Sequence, residues 1–148
     1  MIHSSSSLWR VDPATLAPFD PAKPAGRQRL AGPLVDLPGL QAVLRSGRFD
    51  PEDDLNIATH SCERDLENHR WTYENVLQML LSLVASDYRK SEWCSIKGGR
   101  HVPCDVYLLP YDLVRHQRNA RAEAVYLKFS IDEAGALTIV MVSCHPPR

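Results

Sequence analysis

The sequence predicts an α+β domain, with N-terminal helices packed on one face of a C-terminal antiparallel β-sheet. Three features lead there. Apolar residues recur at helical spacing up to Val84 and alternate every second residue afterwards. The last stretch reads as two strands, 125–131 and 137–145, around Asp132-Glu133-Ala134-Gly135-Ala136. The 148 residues, 44% of them hydrophobic, suffice for one core without disulfides or metals.

Taken in order, residues 1–34 carry Ser4 to Ser7 and five prolines (Pro13, Pro18, Pro21, Pro24 and Pro33), a composition expected to give a tail or a loosely docked arm. The remainder, 35–148, is expected to be a single domain. Leu37 to Arg45 has Leu40, Val43 and Leu44 at helical spacing and Gly47 just beyond, which predicts a short helix. Asp50 to Asp54 reads as a polar connection, and Asn56 to Glu67 as a second helix with a weak apolar pattern. Thr72 to Val84 is the strongest helix: Thr72 can cap it, and Val76, Leu77, Leu80, Leu81 and Val84 form one apolar stripe. Ser86 to Ser95 follows as a strand, Lys97-Gly98-Gly99 as a turn, and Cys104 to Leu109 as a strand ended by Pro110. In that strand Cys104, Val106 and Leu108 alternate with Asp105, Tyr107 and Leu109, which puts Cys104 on the apolar side. Arg115 to Ala122 reads as a charged loop.

The final hairpin has the most informative pattern. A two-residue turn at Gly135-Ala136, with Gly135 at φ > 0, would pair Ile131 with Val140, Phe129 with Val142 and Leu127 with Cys144 on an apolar face. The other face would carry Tyr126 opposite His145 and Lys128 opposite Ser143, with Ser130 and Met141 nearby. A phenol, an ammonium and an imidazole then share one polar sheet face.

Net charge is −1, and no run approaches 18 apolar residues, so neither a membrane span nor long-range capture of duplex nucleic acid is expected. The start lacks an apolar h-region, so no signal peptide is expected. Cys62, Cys94, Cys104 and Cys144, irregularly spaced, suit reduced thiols in a cytoplasmic protein. Charge is uneven: residues 35–72 hold eight acids against four arginines, whereas 86–148 hold nine Lys/Arg against seven acids. The polar sheet face lies in the more basic half.

Four strings occur in order: Ser86-Asp87-Tyr88-Arg89-Lys90-Ser91, Asp105-Val106-Tyr107, Val125-Tyr126-Leu127-Lys128 and Val142-Ser143-Cys144-His145. Together they resemble the motility quorum-sensing regulator (MqsR) toxins, RelE-like ribonucleases of type II toxin–antitoxin pairs. The resemblance runs from about Leu37 to the end. It implies a toxin-type mRNA endoribonuclease that needs no cofactor, causes growth arrest and is held by a cognate antitoxin. Position by position, it places the catalytic lysine on Lys90, the catalytic tyrosine on Tyr126 and the C-terminal basic residue on His145, where typical members have lysine. A glutamine common before the Asp-Val-Tyr string is Cys104 here.

Metal-free RNA cleavage through the substrate 2′-hydroxyl needs a base, an acid and fixed positive charge. Histidine is the side chain type suited to proton transfer at working pH, which points to His145, Tyr126 can supply a hydrogen bond or a proton, and either order of base and acid fits. Lys90 and Lys128 supply charge, with Arg89 beside them, and Tyr107 or Trp93 could stack an unpaired base of a single-stranded RNA. The alternative is a non-catalytic RNA- or protein-binding module using the same face. Cys94, His101 and Cys104 lack the paired short spacing of a zinc site, and a Cys104–His145 thiol enzyme is disfavoured by the expected burial of Cys104. His60, His69 and His116 read as solvated or structural.

Overall fold

A computed structural model describes residues 7–147. Among these residues seven strands form one sheet: β1 (Arg29–Leu30), β2 (Leu55–Ile57), β3 (Tyr88–Ile96), β4 (Arg100–Asp112), β5 (Gln117–Arg118), β6 (Ala124–Asp132) and β7 (Thr138–His145). Their order is β1-β3-β4-β6-β7-β2, with β5 added to the end of β4. Every pairing is antiparallel except β2 with β7. Four helices accompany it, α1 (Leu37–Arg45), α2 (Pro51–Asp54), α3 (His60–His69) and α4 (Tyr73–Ser82), and the protein is an α+β fold as expected. No helix is long and apolar enough to cross a membrane among the described residues.

Local chemistry sets the helix starts. Asp36 accepts the Gly39 amide to open α1, and Thr59 accepts the Cys62 amide to open α3. Thr72 and Asn75 form a reciprocal capping box on α4 that satisfies two orphan donors. The buried amide of Gln41 in α1 donates to the carbonyls of Leu80 and Leu83 at the end of α4, where helices leave acceptors short of partners. The helix expected from Asn56 begins later, as α3. Leu55 and Ile57 are buried on either side of exposed Asn56 and pair in parallel with β7, and only after them does Thr59 start the helix.

Strand β4 outruns Pro110, contrary to expectation. Pro103 is paired only to Trp93 of β3, and Pro110 only to Ala124 of β6, so each proline sits where β4 has one neighbour and its missing N–H breaks no second ladder. The core joins the helices to one sheet face, through Tyr107, Leu109 and Tyr111 of β4, Leu127, Phe129 and Ile131 of β6, and Ile139, Met141 and Cys144 of β7. This reverses the assignment of β4. Tyr107 points to the helices, while Cys104 lies on the other face in a small cluster with Cys94 and Val142.

The hairpin keeps the expected register at its open end, where Tyr126 faces His145, Leu127 faces Cys144 and Lys128 faces Ser143. Beyond that point a bulge at Val142 shifts the pairing, so Phe129 faces Met141 and Ile131 faces Ile139. Met141 therefore enters the core and Val142 leaves it. The two-residue turn is replaced by the segment 133–137, and Gly135 has no positive φ. The extra residue in the strand absorbs the longer connection, which is why both ends of the hairpin bury apolar side chains.

The arm expected to be loose is docked along its described length, with Ser4 to Ser6 outside the described residues. Leu8 and Leu34 are buried, and Arg29 and Leu30 extend the sheet beyond β3. The Asp105 carboxylate, fully buried, accepts the amides of Leu34 (2.9 Å) and Val35 (3.0 Å) and the Ser91 hydroxyl (2.6 Å). At Gly32 the arm passes so close that an added Cβ would collide with Ser91 and Tyr88, a contact only glycine allows. Phe19 stacks on His101 at 3.7 Å, and the Trp93 indole N–H donates to the Ala17 carbonyl. Apolar anchors at wide intervals, invisible to composition, hold a proline-rich segment to the sheet edge.

Candidate functional site

On the sheet face away from the helices, Tyr126 and His145 are cross-strand partners whose rings stack 5.1 Å apart at 10°. His145 is the last residue of β7, and its Nδ1 lies 2.8 Å from the Pro146 carbonyl. A carbonyl only accepts, so Nδ1 carries the proton, and in the neutral ring Nε2 keeps a free lone pair. Two residues along β6, the Lys128 ammonium stands 5.8 Å from the centre of the Tyr126 ring.

Lys90 reaches the same face from β3. Val106 lies between it and Lys128 in the sheet, so their backbones are about 10 Å apart, with Tyr126 about 12 Å and His145 about 16 Å from Lys90 by strand spacing. The ammonium next to the Tyr126–His145 pair is thus that of Lys128, and Lys90 stands at the margin. The bulge at Arg89, where β3 shifts register between Tyr88 and Lys90, leaves Arg89 exposed with its guanidinium on the carbonyls of Ser86 and Tyr88.

At the centre lies a residue that sequence reasoning missed. The Glu92 carboxylate, 2% exposed, is 2.8 Å from Lys128 Nζ and 3.0 Å from Lys90 Nζ, with Arg29 of the arm at 3.7 Å. Three cations surround one carboxylate and leave an excess of positive charge. The signal was present: Lys90 and Glu92 are two apart in a strand and share a face. Burial opposes ionisation of Glu92, but its hydrogen bonds to Lys128 and Lys90 outweigh it and hold the pKa below the ordinary value. Burial likewise opposes the Lys128 ammonium, yet Cys94 and Glu92 overcome it and raise the pKa above the ordinary lysine value, so Lys128 is a fixed cation.

These directions predict a pH dependence. The Glu92 network contributes stability above the ordinary glutamate pKa of about 4.3 and loses it as pH falls through the lower folded-state value. Its Lys128 side is fully present below the ordinary lysine pKa and is lost only as pH rises through the raised folded-state value. Thermal melts should show Glu92→Gln less stable than the parent at neutral pH, with the gap closing as pH falls below 4.3. An unchanged gap at low pH would show that carboxylate charge is not what Glu92 contributes.

Two sequence candidates are corrected. Tyr107 is 1% exposed, stacks on Phe129 at 5.8 Å and meets Tyr88 edge-on, so it belongs to the core and offers no surface to a base. Trp93 lies on the face opposite Lys90, fastened to the arm. The thiols divide similarly. Cys94 and Cys104 share the open face, where their hydrogen bond draws the Cys94 pKa down, while burial drives Cys104 up. His101 lies on the other face against Phe19. Among the described residues all four cysteines are buried and unpaired, and no group of three or more His, Cys, Asp or Glu side chains converges to hold a metal.

No protein family's sequence pattern matches this chain as a whole, and no curated protein and no solved structure matches it. The likeness to MqsR toxins rests on the four short strings.

Proposed function

We propose that this protein is a cytoplasmic toxin-type mRNA endoribonuclease, cutting single-stranded RNA through the substrate 2′-hydroxyl and held inactive by a cognate antitoxin. The observation that carries this reading is the Tyr126–His145 stack with Lys128 beside it on the sheet face away from the helices. His145 Nε2 takes the 2′-hydroxyl proton as that oxygen attacks the adjacent phosphorus. The bond to the 5′-oxygen breaks, and the Tyr126 hydroxyl supplies the proton that oxygen needs. The products are a 2′,3′-cyclic phosphate and a 5′-hydroxyl end, with no other reactant consumed. Lys128 balances the charge that grows on the phosphoryl oxygens, and Lys90 adds field through the shared Glu92.

One observation favours a second reading. Glu92 engages both lysines, as a purely structural network would, and a non-catalytic binding module could use the same face. Incubation of the full chain with single-stranded RNA in EDTA separates the two. New 5′-hydroxyl ends are expected, and binding without them would favour the module. Expression alone should arrest growth, and co-expression with the product of the neighbouring gene should relieve it.

A further inference from the structure

A cavity of about 300 Å³ lies round the end of the sheet from the Tyr126–His145 pair, at the lower end of the size range of ligand pockets. Val125 and Pro146 line it, and they are the chain neighbours of Tyr126 and His145. Pro147 adds a second apolar ring, while Tyr111, Asn119 and Glu123 supply the polar side. The buried Tyr111 hydroxyl has no hydrogen-bond partner among the described residues, an uncommon state for a polar atom. Asp112, also in the lining, is already committed to the amides of Val114 and Arg115. The Asn119 side-chain oxygen is likewise engaged by the Arg121 amide, whereas Glu123 is exposed at the rim and its carboxylate makes no hydrogen bond or ion pair among the described residues. The wall is held in place, because Arg118 of β5 donates twice to Asp87, at 2.6 and 2.9 Å.

We infer that this cavity binds one nucleobase carrying an exocyclic amino group, a base next to the cleaved phosphodiester. The site rests on the ribonuclease reading for its substrate but on its own lining for its chemistry. Proline rings and Val125 suit the face of a flat heterocycle. The exposed Glu123 carboxylate is an acceptor and can take a donor edge. Adenine, cytosine and guanine each present an amino group to it, whereas uracil's one N–H lies between two carbonyl oxygens that repel a carboxylate. Arg115 and Arg121, exposed, belong to the same stretch of chain as the lining residues Leu113, Asn119 and Ala122 and offer charge to the phosphates on either side of that base.

The test titrates adenosine, cytidine, guanosine and uridine into the full chain and follows backbone amide signals by NMR. Amino-bearing nucleosides should shift the signals of Asn119, Glu123 and Val125, and uridine should not. Glu123→Gln should weaken that binding about tenfold or more, the discrimination typical of a well-formed base contact. The same variant should cut RNA with an altered base preference at one position, with Tyr126 and His145 untouched. Uridine binding as well as the others, or no shift at these amides with any nucleoside, would overturn the inference. If nucleosides bind here but RNA stays intact, the pocket stands and the ribonuclease reading falls. Cutting whose base preference ignores Glu123→Gln, with no nucleoside bound, refutes the pocket and leaves the ribonuclease.

Discussion

Replacing His145 by alanine should lower RNA cleavage by about 10²–10⁴-fold, the usual contribution of a proton-transfer group. The fold should survive, because the side chain sits at the end of β7 and contacts Tyr126 and the Pro146 carbonyl rather than the core. Tyr126→Phe is the sharper companion. It keeps the ring stack and removes only the hydroxyl, so a similar loss would assign the effect to proton donation or a phosphate hydrogen bond. Lys128→Ala should also cost activity, with Lys90→Ala costing less, since Lys128 is the ammonium that stands beside the pair. Single-turnover cleavage and melting temperature, measured on the same preparations, check this. Full activity in His145→Ala would remove it from the reaction.

Asp105→Ala should be the most destabilising single change, by roughly 3–5 kcal/mol, since it strands the buried donors of Leu34, Val35 and Ser91 together. Burial raises the Asp105 pKa against the pull of those same hydrogen bonds and of the Arg10 charge. Denaturant unfolding should show the loss, and protease should cut within residues 7–34 first, because their junction with the sheet is what Asp105 ties. A variant as stable as the parent would show that the arm docks by its apolar anchors alone. Asn in place of Asp105 should cost less, since it retains one acceptor.

What could be read from the residues follows from how many competing forces each region feels. Helix α1 was legible to its bounds and α4 nearly so, since cap, apolar stripe and terminator agree there. The open end of the last hairpin was legible because Tyr126, Lys128, Ser143 and His145 differ sharply from Leu127 and Cys144. Its tip was not, since Val140, Met141 and Val142 are equally apolar and either face accepts any of them. The bulge at Val142 settled the matter through packing rather than pattern. Strand β4 posed the same problem: Cys104, Val106 and Leu108 rival Tyr107 and Leu109 in hydropathy, and Asp105 reads as solvent-facing until the arm that buries it is known. The arm itself hides Leu8, Phe19 and Leu34 among prolines, each making a long-range contact that no local period reveals. For the candidate site, Tyr126, Lys128 and His145 were readable from strand alternation. Glu92 was readable in principle, while Arg29 needed the fold.

The central claim is that the Tyr126–His145–Lys128 face cuts RNA by using the substrate's own 2′-hydroxyl. The most direct measurement compares one single-stranded RNA with the same oligonucleotide carrying 2′-O-methyl groups at every position, both incubated with the protein in EDTA. The unmodified strand should yield fragments ending in 2′,3′-cyclic phosphate, and the methylated strand should remain intact. Equal cutting of both strands, or no cutting of either by the folded protein, would contradict it.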